Sequence, residues 1–314
     1  MVGGMQMAIA QSTYKSTRKS SKIKHSKDDL TYYTIVYITI AILTFSVIYP
    51  IIYIVSCSIS LPSAVAAGKV VLFPVGFSLE GYKRVFAYER VYIGFRNSFI
   101  YTVVGTFLNV AMTMICAYPL ARKKLPHRNF FTFLFSFTML FNGGMIPTYL
   151  VMRDLRLLNT PWIMMLPTFG VYNMIITRTY IQTNIPDELL ESVQMDGCND
   201  IQYFWSFILP LSKPVMAVCA LQYAVGHWNS YFNAFIYLTN KNLFPLQVFL
   251  REILVLSQIS PEDFVDEETS IQLQGMADLL KYALIVVATA PILCVYPFVQ
   301  KYFVKGIMIG SLKG

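Results

Sequence analysis

The chain has 314 residues, 55% of them apolar and only 13% charged, with a mean hydropathy of +0.52. That balance decides against a pair of soluble domains and for an all-α integral membrane protein. The formal charge of +8 is no nucleic-acid footprint, because the basic residues gather at the ends of apolar runs, where they carry topology.

Residues 1–29 form a Ser/Lys-rich basic tail with Lys15, Arg18, Lys19, Lys22, Lys24 and Lys27, expected to be disordered. Residues 33–57 exceed the roughly 20 apolar residues needed to cross hydrocarbon and are too long for a signal-peptide core. The cleavage-like Ser63-Ala64-Val65-Ala66-Ala67 lies well beyond this run, so a retained first span is expected. Five more spans follow by the same criterion, at 96–121, 130–152, 161–181, 211–237 and 278–302, making a six-helix domain over 30–314.

An even number of spans puts both termini on one side. The tail, the cluster Arg122, Lys123, Lys124 and Arg128, and then Lys301, Lys305 and Lys313 predict that side to be cytoplasmic. Lys69, Lys83, Arg84, Arg90 and Arg96 fall on the outer side, in a long segment that obeys the rule less strictly. This outer segment, 58–95, has turn signals at Pro62, Pro74-Val75-Gly76 and Gly81. A second, 240–277, is acidic through Glu262, Asp263, Asp266, Glu267 and Glu268, and either carries partner contacts or is a solvated loop.

Several polar breaks argue against a passive anchor. Asn142-Gly143-Gly144 with Pro147 interrupts the third span, and Pro167 with Gly170 the fourth, as is tolerated where backbone lines a cavity or is covered by protein. In the fifth span, His227, Trp228, Asn229, Tyr231 and Asn233 are costly against lipid. Two readings apply: interfacial aromatics with interhelical hydrogen bonds, or a wall of a translocation path. Cys57, Cys116, Cys198, Cys219 and Cys294 form no CxxC pair, and His25, His127 and His227 stand too far apart for a cluster, so neither disulfides nor a metal site is expected. No phosphate loop occurs, so any nucleotide must be bound by another chain.

The most polar interruption is 183–210. Pro186 suits a first helical turn, Asp187 and Glu188 suit the positive end of a helix dipole, and Gly197 suits its termination. Asn199 or Asp200 can cap a second helix carrying Phe204, Phe207 and Ile208, which Leu209-Pro210 is expected to break. A compact two-helix knob between the fourth and fifth spans is expected, on the cytoplasmic face.

Glu191-Ser192-Val193-Gln194-Met195-Asp196-Gly197, nine further residues and Phe207-Ile208-Leu209-Pro210 resemble the EAA motif of permease subunits of binding-protein-dependent ABC importers. Glu191, Asp196, Gly197, Leu209 and Pro210 match; Ser192, Val193 and Phe207 replace the usual Ala, Ala and Ile. Residues 142–167, the pair Trp228-Asn229 and the ending 300–314 resemble MalG-type carbohydrate permeases, within them the LplC/YtcP-like polysaccharide subgroup. The resemblance spans about 29–314.

The resemblance implies a type I (MetI-like) fold of six transmembrane helices, with the knob as a coupling loop that docks on a partner ATPase. It implies a multi-pass protein of a bacterial plasma membrane, paired with a second permease subunit as a heterodimer. Two ATPase subunits bind ATP and Mg, and an extracellular binding protein delivers an oligosaccharide, one derived from a larger and acidic polysaccharide. This chain itself is then a transport subunit without catalytic residues or cofactor, and Gly310, Lys313 and Gly314 belong to a tail that reaches toward the ATPases. An ion-coupled carrier or channel, and a membrane-embedded hydrolase using His227 with Ser230 or an Asp, are the alternatives; neither internal repeats nor an assembled catalytic set supports them.

Overall fold

The computed structural model describes residues 27–166, 169–256, 280–297 and 300. The basic tail up to Ser26, Pro167, the acidic group Glu262, Asp263, Asp266, Glu267 and Glu268, and the tail residues Gly310, Lys313 and Gly314 lie outside the described residues. The chain divides into two compact units, Met1–Ile51 and Ile52–Gly314.

In the first unit the described residues belong to helix α1 (Lys27–Ser58). Its large apolar side chains, among them Ile35, Ile42, Leu43 and Phe45, are exposed. Such a surface suits hydrocarbon rather than water.

The second unit opens with short α2 (Pro62–Ala66) and α3 (Glu80–Ala87). Between them the turn expected at Pro74-Val75-Gly76 is present: Gly76 adopts φ 66°, and Ser60 and Phe77 form an antiparallel bridge. Helix α4 (Glu89–Ala121, 33 residues) then runs through the unit. It begins before the expected 96, because Arg90 and Arg96 continue the helix past its apolar stretch while remaining exposed.

The expected third span, 130–152, with its anticipated interruption, forms α5 (Arg128–Leu140) and α6 (Met145–Asp154), bent by 115°. The bend falls at the anticipated polar break. The Asn142 side-chain oxygen accepts from the Gly144 N–H at 2.9 Å, and Gly144 takes φ 87°, a conformation that favours glycine. The expected fourth span is a 3₁₀ turn (Pro161–Met164) followed by α7 (Val171–Asn184). Then come α8 (Asp187–Met195), α9 (Asp200–Leu211) and α10 (Lys213–Trp228). The expected fifth span, 211–237, is interrupted at Asn229-Ser230 and resumes as α11 (Tyr231–Tyr237). A 3₁₀ turn (Lys241–Leu243), α12 (Leu246–Leu256) and α13 (Leu280–Pro297) complete the order. Three helices, Asp29–Ser58, Glu89–Ala121 and Leu280–Pro297, are long and apolar enough to cross a membrane alone, and two bent pairs raise the number to as many as five among the described residues.

Helix α4 is the spine of this unit. Residues four apart form a ridge inclined to the helix axis, and Asn97, Tyr101, Gly105, Asn109, Thr113, Ala117 and Ala121 are all buried along one such ridge, which winds around α4. Each polar member has a partner on another element. The Asn97 amide donates to the carbonyls of Asn242 (2.7 Å) and Phe244 (3.1 Å), and the Tyr101 hydroxyl donates to the Leu243 carbonyl at 2.9 Å. Asn109 Nδ2 lies 2.8 Å from His227 Nε2, and Thr113 Oγ1 lies 2.8 Å from the Tyr223 hydroxyl. At Gly105 the His227 ring occupies the space of a side chain: a Cβ would sit 2.5 Å from it.

Gly105→Ala is therefore expected to destabilise the chain by about 1–3 kcal/mol through overpacking, read as a lower thermal unfolding midpoint in detergent. Adding His227→Ala to that variant should remove most of the extra cost, so that the two changes are clearly non-additive.

Candidate functional site

The knob is built by local rules. Pro186 stands just before α8 as its N-cap residue (φ −63°, ψ 145°) rather than inside the first turn, and Asp187 and Glu188 occupy that turn, where the helix dipole favours negative charge. The helix ends in a Schellman arrangement: the Gly197 N–H donates to the Gln194 carbonyl (3.0 Å) and the Cys198 N–H to the Val193 carbonyl (3.2 Å). Gly197 takes φ 83° to close it. Of the two candidate caps for the next helix, Asn199 acts, its side-chain oxygen accepting from the Gln202 N–H at 2.8 Å.

Leu209-Pro210 does not break α9. Residues Phe204–Ile208 adopt a π turn, in which the Leu209 N–H bonds the Phe204 carbonyl, and Leu209–Leu211 remains helical. A proline ring clashes with the carbonyl four residues before it, and the wider π register relieves that clash. The chain bends instead at Ser212, by 76° between α9 and α10. Pro214 lies in the first turn of α10, where its missing N–H costs nothing.

One side of the knob is fastened to the bundle. Leu190, Tyr203 and Ile208 are buried in a cluster with Ala117, Tyr118, Ala121, Ile181 and Ile185. Arg122 Nη1 donates to Asp200 Oδ1 at 2.6 Å and to the Tyr118 hydroxyl at 2.7 Å. Burial works against the Arg122 charge, but the hydrogen bonds to Asp200 and Tyr118 outweigh it and leave the pKa above its ordinary value. Lys123 Nζ pairs with Asp187 Oδ2 at 2.8 Å, with both side chains mostly in solvent (79% and 54% exposed).

The other side is open. Glu191, Asp196 and Gly197 are exposed, while Leu209 is half-buried and Pro210 exposed at the far end of α9. Met195 (88%), Ile201 (74%) and Trp205 (65%) are large apolar side chains left uncovered. The sequence reading did not single out this trio, although Ile201 and Trp205 are spaced i, i+4 on one face.

The five polar or aromatic residues proposed for a path are not brought to one wall. His227 is buried, its Nδ1 3.1 Å from the Met164 carbonyl and its Nε2 on Asn109. A neutral ring with its proton on Nδ1 satisfies both contacts. Trp228 is buried too, its indole N–H donating to the Ala288 carbonyl at 2.8 Å. Asn229 and Tyr231 are exposed and Asn233 half-buried. Among the described residues no group of His, Cys, Asp or Glu is placed to hold a metal.

Long apolar helices, two sharply bent helix pairs and a polar seam between helices are the features of a polytopic membrane protein. The chain is 43% identical over 269 residues to Protein LplC of Bacillus subtilis (strain 168), covering 85% of this chain and 90% of that protein. It is 41% identical over 266 residues to the polygalacturonan/rhamnogalacturonan transport system permease protein YtcP of the same organism, covering 84% and 92%. A chain in the crystal structure of a bacterial ABC transporter involved in the import of the acidic polysaccharide alginate matches with a TM-score of 0.79 at 35% identity, over 89% of this chain and 99% of that one. No family model matches. The chain belongs to the family of ABC sugar-transporter permeases that includes LplC and YtcP.

The two ion pairs of the knob differ in weight. The Arg122 side chain is only 18% exposed, whereas a pair as exposed as that of Lys123 is screened by water. Arg122→Gln should speed amide hydrogen exchange across 187–211 roughly fivefold, equivalent to about 1 kcal/mol. Lys123→Gln should leave it nearly unchanged.

Proposed function

We propose that this chain is one membrane-spanning subunit of an ATP-driven importer that takes up oligosaccharides handed over by an extracellular binding protein. It pairs with a second permease subunit, and two ATPase subunits that bind ATP and Mg sit beneath the pair. The oligosaccharide is acidic, as relatives that import polygalacturonan, rhamnogalacturonan and alginate suggest. The bent pair α5–α6 counts as one span, α10 supplies another without α9, the segment from the 3₁₀ turn Pro161–Met164 through α7 supplies the sixth, and both termini and the knob face a bacterial cytoplasm.

The observation that carries this reading is the two-sided knob. It is capped at both internal ends and packed on one face, while its other face offers Glu191, Met195, Ile201 and Trp205. Glu191 meets donors of an ATPase cleft, and the three apolar side chains fill it. Closure of the ATPases then displaces the knob as a body and rocks α10, which is joined to α4 through Tyr223–Thr113 and His227–Asn109. Leu209 and Pro210 set the angle at which α9 meets α10, and the carboxyl-terminal residues Gly310, Lys313 and Gly314 reach the same ATPases.

Two substitutions test the coupling. Glu191→Lys reverses the charge of an exposed side chain, and Gly197→Pro removes the N–H and the positive φ on which the α8 terminus depends. Both variants should insert and assemble normally, yet lose oligosaccharide-stimulated ATP hydrolysis and uptake in reconstituted vesicles. Wild-type stimulation and uptake in both would refute the coupling role, and uptake that survives disabling of the partner ATPase would favour an ion-coupled carrier.

A further inference from the structure

At the end of α10 remote from the knob, roughly 24 Å along a helix of 16 residues, the chain turns back through α11 and α12. These two helices and the turn between them form an open cleft of about 690 Å³ lined by Tyr231, Phe235, Lys241, Phe244, Arg251 and Glu252, among others. That size is typical of small-molecule sites.

Two cations and one carboxylate, Lys241, Arg251 and Glu252, line the cleft. The Arg251 guanidinium lies over two rings at once, 4.7 Å from the centroid of Phe235 and 5.6 Å from that of Tyr231. Among the described residues neither Arg251 nor Lys241 forms an ion pair. A guanidinium this close to two ring faces is held by cation–π attraction, which uses none of its N–H donors as hydrogen bonds to an oxygen acceptor. Its planar fork of donors matches the two oxygens of a carboxylate. Glu252, on the same wall, accepts from hydroxyl groups. By contrast, the cavity of about 460 Å³ between α4, α10 and α13 is lined by apolar side chains together with Thr102 and Thr106, and it offers a charged ligand nothing.

We infer that the cleft between α11 and α12 is a subsite for a sugar unit bearing a carboxylate, with Arg251 as the clamp and Lys241 as the second positive charge. The inference rests on the reading of the chain as an importer of acidic oligosaccharides and assigns that ligand a place at the mouth remote from the knob. Here the cations draw in the uronate and release its counterion at the point of transfer. Glu252 and the aromatic walls orient its hydroxyls and ring.

The test uses the complete transporter complex in discs of zwitterionic lipid, without binding protein. Direct binding of trigalacturonate is compared with that of its methyl ester, which is the same saccharide without charge. Wild type should bind the acid about tenfold or more tightly than the ester. Arg251→Gln should abolish that preference while leaving ester binding unchanged, Arg251→Lys should retain part of it, and Lys241→Gln should reduce it severalfold. Equal binding of acid and ester by wild type, or an intact preference in Arg251→Gln, would overturn the subsite. So would an equal loss for both saccharides, which marks a general structural effect. Adding the binding protein to the same discs and measuring saccharide-stimulated ATP hydrolysis tests the importer reading separately. Stimulation alongside an intact preference in Arg251→Gln sinks only the subsite, whereas absence of stimulation by any oligosaccharide sinks the importer reading.

Discussion

The contact between α4 and α10 at Gly105 and His227 is the constraint on which the larger unit depends. Lipid offers helices little hydrophobic reason to associate, so close approach and interhelical hydrogen bonds must hold them. Gly105 provides the approach by having no side chain, and the His227 ring fills the space and bonds Asn109 and the Met164 carbonyl. Other buried contacts continue along the same ridge of α4. Toward the remote end, Asn97 and Tyr101 bind the backbone of the Lys241–Leu243 turn and its flank; toward the knob, Ala117 and Ala121 lie against Leu190 and Ile208. One helix thus touches both places where chemistry is proposed.

In the proposed importer the knob is a connection that serves as a mechanical part. A loop needing only to join two helices would leave its carbonyls and amides to water. Here the end of α8 and the start of α9 are satisfied by specific partners, and the Arg122 guanidinium joins α9 to the end of α4. The uncovered Met195, Ile201 and Trp205 are hard to reconcile with a solvated loop and are accounted for by a partner surface.

Features set by neighbours in the chain were legible. The positive φ of Gly197 and Gly144, the cap at Asn199 and the turn at Gly76 all follow from residue type within a few positions. What stayed hidden was non-local. His227 and Asn109 are 118 residues apart, and no spacing rule announces their bond, although the i, i+4 run Asn97, Tyr101, Gly105, Asn109, Thr113 was a readable signal of a buried polar stripe. Hydropathy sums over a window, so it placed 130–152 and 211–237 as single spans; the polar break at 142–147 marked where the first is interrupted, but not the 115° angle. The stacking of Arg251 on Phe235 and Tyr231 required α11 and α12 to fold side by side, and only tertiary structure reveals that.

The π turn at Phe204–Ile208 fixes an angular phase. Each residue advances a helix by roughly 100°, and a π turn holds one residue more than the α turn it replaces. The heading of Ile201 and Trp205 relative to α10 is therefore set by residue count as well as by residue identity. Loss or gain of a single position between Asn199 and Ser212 would leave the motif's chemistry intact and aim the knob's outer face at a different quarter of its surroundings.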